Sequence, residues 1–161
     1  MLWIALFLAQ AAVSPQVGRG QALFFEPANG CASCHALKGR GTAIGPDLTG
    51  IGHLAPAAIA MAARSTVTQY VQNVKLKSKE TFPAVAGPKD EKTVQLYDLL
   101  KTPPELRKLD KADIDSMTNN DRWRHPPAAA KISNEQLADI IAYIRYVATN
   151  STRSVDPSEV R

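Results

Sequence analysis

Residues 31–35 read Cys31-Ala32-Ser33-Cys34-His35, and these two cysteines are the only ones in a chain of 161 residues. Two thiols at this spacing, followed at once by an imidazole, form the pattern that attaches a c-type haem. Each thiol can form a thioether to one haem vinyl, and the next residue then offers a ring nitrogen to iron. Other readings of the pair fit less well. A redox dithiol sits near a βαβ pattern, and none follows here. A zinc site needs a second pair of ligands, and no further Cys-x-x-Cys or His pair exists. A disulfide across so small a loop would add little stability. The expected cofactor is therefore one covalent haem c, held by Cys31 and Cys34 with His35 as the proximal iron ligand.

The length fits one domain. A composition of 45% hydrophobic and 21% charged residues is ordinary for a globular protein, so the haem would add to a modest core. The net charge of +4 gives a mildly basic surface, which suits docking to acidic redox partner proteins. The lysines are scattered and no basic stripe is interleaved with aromatics, so no nucleic acid is expected. The first thirteen residues, MLWIALFLAQAAV, are apolar and uncharged but short for a bilayer span. They read as a signal peptide over 1–11, cleaved after Ala9-Gln10-Ala11. No Lys or Arg precedes the apolar run, so an uncleaved anchor is the alternative, and membrane association is expected only in that case. Export to the periplasm or another extracytoplasmic compartment agrees with covalent haem attachment.

Residues 17–25, VGRGQALFF, read as a short helix with Gly20 and Phe24 on one face. After the cysteine motif, residues 36–52 hold five glycines and little periodicity; such a stretch can wrap closely around a flat ligand. Near the other end, Ser133 and Gln136 form a capping box. Leu137, Ile140, Ile141, Ile144 and Val147 then make an apolar stripe at helical spacing. The polar tail 150–161 is expected to be flexible. In the middle, 55–64 reads as an alanine-rich helix beginning at Pro56. Residues 66–76 are β-branched, 93–100 alternate as a strand, and the stretch between them supplies turns. Leu106, Leu109, Ile114 and Met117 mark a short segment packing back. The expected fold class is mainly α, with a small β-hairpin in the middle section.

With Cys31–His35, Gly45-Pro46-Asp47-Leu48 and the closing ISNEQLADIIAYIRYVA at 132–148, the chain resembles class I cytochrome c domains. The resemblance implies a helical domain over 12–149 that encloses a 65–125 insertion. It implies that Gly20 and Phe24 cross the last helix, against Leu137, Ile141 and Tyr143. It also implies that the Pro46 carbonyl accepts a hydrogen bond from the other nitrogen of the proximal imidazole, fixing the ring. The sequence departs from the family where a distal methionine is usual: it reads Trp123-Arg124-His125-Pro126-Pro127. The prolines keep the chain extended, and His125 is the expected distal iron ligand, with Met117 as the fallback. Met61, His53 and an open or water-bound iron are the remaining choices. Trp123 and Arg124 flank the ligand and are candidates to cover the haem edge and bind its propionates. Against that stand a plain core cap and a solvated guanidinium.

An iron with both axial positions filled by protein has no place for substrate. The expected function is an exported carrier of single electrons by outer-sphere transfer. Two imidazoles would give it a lower potential than a thioether partner would. A haem-based small-ligand sensor with a displaceable distal ligand is the alternative. A peroxidase needs an open site and a distal base, and a di-haem peroxidase would show two attachment motifs. No phosphate-binding loop, nucleophile elbow or paired-carboxylate motif competes with the non-enzymatic reading.

Overall fold

Two amphipathic helices from opposite ends of the chain cross at the centre of the helical part of the molecule. The computed structural model describes residues 13–65, 70–125 and 131–161. The expected signal segment 1–11 lies outside these residues, as do Pro126 and Pro127. Helix α1 (Pro15–Phe25) starts where Ser14 Oγ accepts from the Val17 N–H, with Pro15 in the first turn. Helix α4 (Asn134–Thr149) starts at the capping box, both of whose hydrogen bonds are formed, and ends at Asn150 in the left-handed conformation. The faces that meet are apolar: Val17 and Phe24 on α1 pack with Leu137, Ile141, Tyr143 and Ile144 on α4. Burying each large side chain of this kind contributes about 1.5–3 kcal/mol.

Between these helices come the one-turn α2 (Cys31–Cys34), a minimal hairpin of β1 (Ala36–Leu37) and β2 (Arg40–Gly41), and α3 (Pro56–Ser65). Helix α3 packs Ile59 and Ala60 into the same core. Among the described residues no helix is long and apolar enough to cross a membrane.

The middle section corrects the expected fold class. It holds not a small hairpin but five antiparallel strands: β3 (Val71–Leu76), β4 (Thr81–Ala86), β5 (Thr93–Asp98), β6 (Glu105–Asp110) and β7 (Ile114–Asn119). Of the described residues 39% are helical and 24% are strand, so the protein is not mainly α. The sheet order is β6-β5-β4-β3-β7. Strands β3 to β6 form a meander, and β7 returns to pair with β3.

The two edge strands are joined by one short 3-10 turn, Lys111–Asp113. Both edges also feed one apolar cluster: Leu109 from β6 and Ile114 and Met117 from β7 pack on Val74, Phe82, Ala84 and Leu96. A flat sheet could not do this, so the strands curl into a partly closed barrel. Arg107 supports the curl, its guanidinium 4.2 Å over the Phe82 ring while it bonds Glu80 and Asp98. The barrel core is separate from the helical core.

The C-terminal residues also differ from expectation. Residues 151–161 end in a 3-10 turn, and Val155 and Val160 are buried in the helical core. Gln16 exchanges two hydrogen bonds with the Val155 backbone, at 2.8 and 3.0 Å. The Arg64 guanidinium donates to the carbonyls of Val160 and Ile132 and to Asn134 Oδ1. Polarity alone suggested fraying; two isolated valines and an α3 arginine pin the segment instead.

Candidate haem site

The cysteine motif forms a single helical turn because Gly30, with φ +72°, lets the chain reverse immediately before Cys31. The His35 N–H closes that turn on the Cys31 carbonyl at 2.8 Å. Both thiols are half-buried and free of disulfide. Burial pushes the Cys31 thiol up to about 11 and moves Cys34 in the same direction.

The glycine-rich segment then folds back over the motif. Thr42 donates to the Ala32 carbonyl, and Ile44 and Gly45 both donate to Cys34. Two glycines are required here. Gly41 has φ +105°, and a Cβ there would collide with the His35 carbonyl. A Cβ at Gly45 would lie 2.8 Å from His35 Cε1. The close approach delivers the next residue's carbonyl to the ring: His35 Nδ1 is 2.7 Å from the Pro46 oxygen. A carbonyl only accepts, so Nδ1 carries the proton and Nε2 is left as the lone-pair nitrogen.

His125 faces this ring. The two imidazole centroids are 6.0 Å apart with planes inclined by 30°. The His125 ring is half-buried, and its buried Nδ1 has no hydrogen-bond partner among the described residues. Burial lowers its pKa first and the neighbouring His35 second, while the backbone of Ala62 pulls the other way. Ala62 lies in the last turn of α3, where helix carbonyls lack partners, but it falls short of hydrogen-bond geometry with Nδ1.

The other candidates go elsewhere. Met117 packs into the barrel core, so its thioether is committed there. His53 is exposed, and Met61 is 64% exposed on α3. Trp123 is half-buried, while Arg124 is exposed and donates to the Trp123 carbonyl at 3.2 Å. Phe24 meets Tyr143 as expected, at 5.8 Å. Gly20 meets Tyr143, one of the expected partners, and also abuts the Asp139 backbone. Sequence reasoning missed Ala62 and Asn120, although Asn119-Asn120-Asp121 has the composition of a turn.

Two imidazoles alone are an incomplete donor set. Among the described residues no cluster of three or more His, Cys, Asp or Glu side chains could hold a bare metal ion. The pair therefore suits a metal whose remaining donors arrive with a flat ligand, tethered by the two thiols. A family model described as Cytochrome c matches residues 17–148. That match implies a covalently bound haem c, which the cysteine motif fits. No curated protein matches the chain.

Proposed function

This chain belongs to the cytochrome c family, and we propose that it is an exported monohaem carrier with two histidine axial ligands and a low reduction potential. The family's haem supplies reversible one-electron chemistry at iron, exchanged with redox partner proteins. Cys31 and Cys34 would hold the group covalently. His35, oriented by Pro46, would give one axial nitrogen, and His125 the other.

One observation carries the axial assignment. A metal bound at about 2.0 Å from two opposed imidazole nitrogens separates the ring centroids by about 6 Å, and the His35–His125 separation is 6.0 Å. Burial, which lowers the His125 pKa, favours the neutral form that binds metal. A second imidazole in place of a thioether gives up the stabilisation of ferrous iron that methionine brings, hence the low potential. The net charge of +4 favours acidic partners, and the apolar leader favours a periplasmic or other extracytoplasmic location.

Near-infrared magnetic circular dichroism of the oxidised, mature protein tests the assignment. The expected charge-transfer band is that of two nitrogen ligands, lost in His125→Ala. A nitrogen–thioether band would overturn the role of His125 and move attention to Met61.

A further inference from the structure

The segment that carries His125 leaves the barrel at the end of β7, and one residue fastens it there. Asn120 has four polar groups, and all are used. Its backbone N–H donates to the Val71 carbonyl at 2.9 Å, and its Nδ2 donates to Asn73 Oδ1 at 2.8 Å, both on β3. Its Oδ1 accepts from the Arg122 N–H and its carbonyl from the Trp123 N–H, each at 3.2 Å. Two bonds therefore point back into the barrel and two forward into the turn that leads to His125. Among the described residues, no other hydrogen bond joins β3–β7 to residues 121–125.

The distal ring needs such an anchor. His35 is oriented through its own Nδ1, whereas the His125 Nδ1 has no partner among the described residues. Apart from the approach of the Ala62 backbone to the ring, the orientation of His125 then comes from the backbone that carries it. We propose that Asn120 is a positioning residue: it fixes the distal histidine to the barrel, and the barrel is the frame that keeps His125 on the iron. The inference rests on His125 as the distal ligand. It gives the insertion a role in the site, because the strands that hold Asn120 set how readily His125 departs.

Carbon monoxide uptake by the reduced, haem-loaded protein reads this departure, since entry of the gas is limited by release of the histidine. Asn120→Ala is expected to speed uptake about tenfold, the effect of losing one or two neutral hydrogen bonds. Asn73→Ala, at an exposed position, should speed it in the same direction while leaving the fold intact. Asn120→Asp should restore the slow rate, because a turned-over Asn73 amide can donate to the carboxylate. Lys75→Ala breaks the 2.7 Å Lys75–Asp115 ion pair of the same barrel without touching the turn, and should leave the rate unchanged. Wild-type rates in both asparagine variants, or equal acceleration in Lys75→Ala, would overturn the proposal. His125→Ala separates the two claims: if it keeps the two-nitrogen band and the slow uptake, the assignment of the distal ligand itself fails.

Discussion

Gly20 and Asp139 meet backbone to backbone where α1 crosses α4: a Cβ at Gly20 would run into the Asp139 carbonyl and lie 2.9 Å from Tyr143 Cβ. An alanine would gain about 1 kcal/mol of helix propensity, but neither obstacle is the far end of a flexible side chain. Crowding should win. Gly20→Ala is expected to destabilise the haem-loaded protein by about 1–3 kcal/mol in guanidinium unfolding. Gly18, on the same helix with nothing within 4 Å of its hypothetical Cβ, is the control: Gly18→Ala should stabilise by about 0.5–1 kcal/mol.

A second glycine acts on the chemistry rather than the fold. A Cβ at Gly45 would stand 2.8 Å from His35 Cε1 and 3.1 Å from its Nδ1, so Gly45→Ala must push the ring away from the Pro46 carbonyl. Losing that hydrogen bond makes the imidazole a poorer donor. Poorer donation stabilises oxidised iron less, so the reduction potential should rise relative to wild type in equilibrium titration. A potential that stays put or falls would show that the Pro46 contact does not tune the ligand.

Local chemistry made the helical site legible. The cysteine motif and the Ser133–Gln136 capping box are each settled by residues a few positions apart, so sequence spacing carries them, whereas the Pro46 contact, eleven residues from His35, is implied by the family resemblance. The barrel is different, because its pairings join residues far apart in the chain, such as Val74 with Met117. Strand β6, ELRKLD, reads only as part of a short segment packing back, because both of its faces hold charge, Lys108 on one side and Arg107 on the other, and blur the alternation. Strand β4 carries Pro83, a residue that argues against an inner strand. It is tolerated because the β4–β5 pairing ends at Ala84, beyond which the Leu99 N–H meets the Pro83 carbonyl. The missing N–H thus falls where the ladder has stopped. His125 was legible as a ligand candidate from its place before two prolines, but its anchor at Asn120 depends on β3 and was not.

The C-terminal segment should matter for stability despite its polar sequence. Truncation after Asn150 removes Val155 and Val160, both buried, and strands the Arg64 guanidinium without its Val160 acceptor. Each lost valine should cost about 1.5–3 kcal/mol. Val160→Ala and Arg64→Ala should each lower the unfolding midpoint, and the double variant should lose less than the sum, because the two share one contact region. Additive losses would mean that the Val160 side chain does not hold its own carbonyl in place for Arg64, since Val160→Ala leaves that acceptor present.

Acid should loosen the barrel through Glu80. The Arg107 guanidinium holds that carboxyl below its ordinary value of 4.5, chiefly by hydrogen bonding; desolvation opposes this, and the smaller attraction of the Arg107 charge adds to it. A carboxylate whose pKa is lower when folded binds fewer protons in the native state than in the unfolded one. Its stabilising contribution is therefore complete above the ordinary value and is lost as pH falls through the lowered one. Asp115, held down by Lys75, moves stability in the same direction, so the wild-type barrel alone would not isolate the pair. Glu80→Gln does. Unfolding followed by barrel tyrosine fluorescence should show the variant less stable than wild type at neutral pH, with the gap closing as acid protonates Glu80. A gap that stays constant with pH would mean that the Glu80–Arg107 contact works by packing over Phe82 rather than by charge.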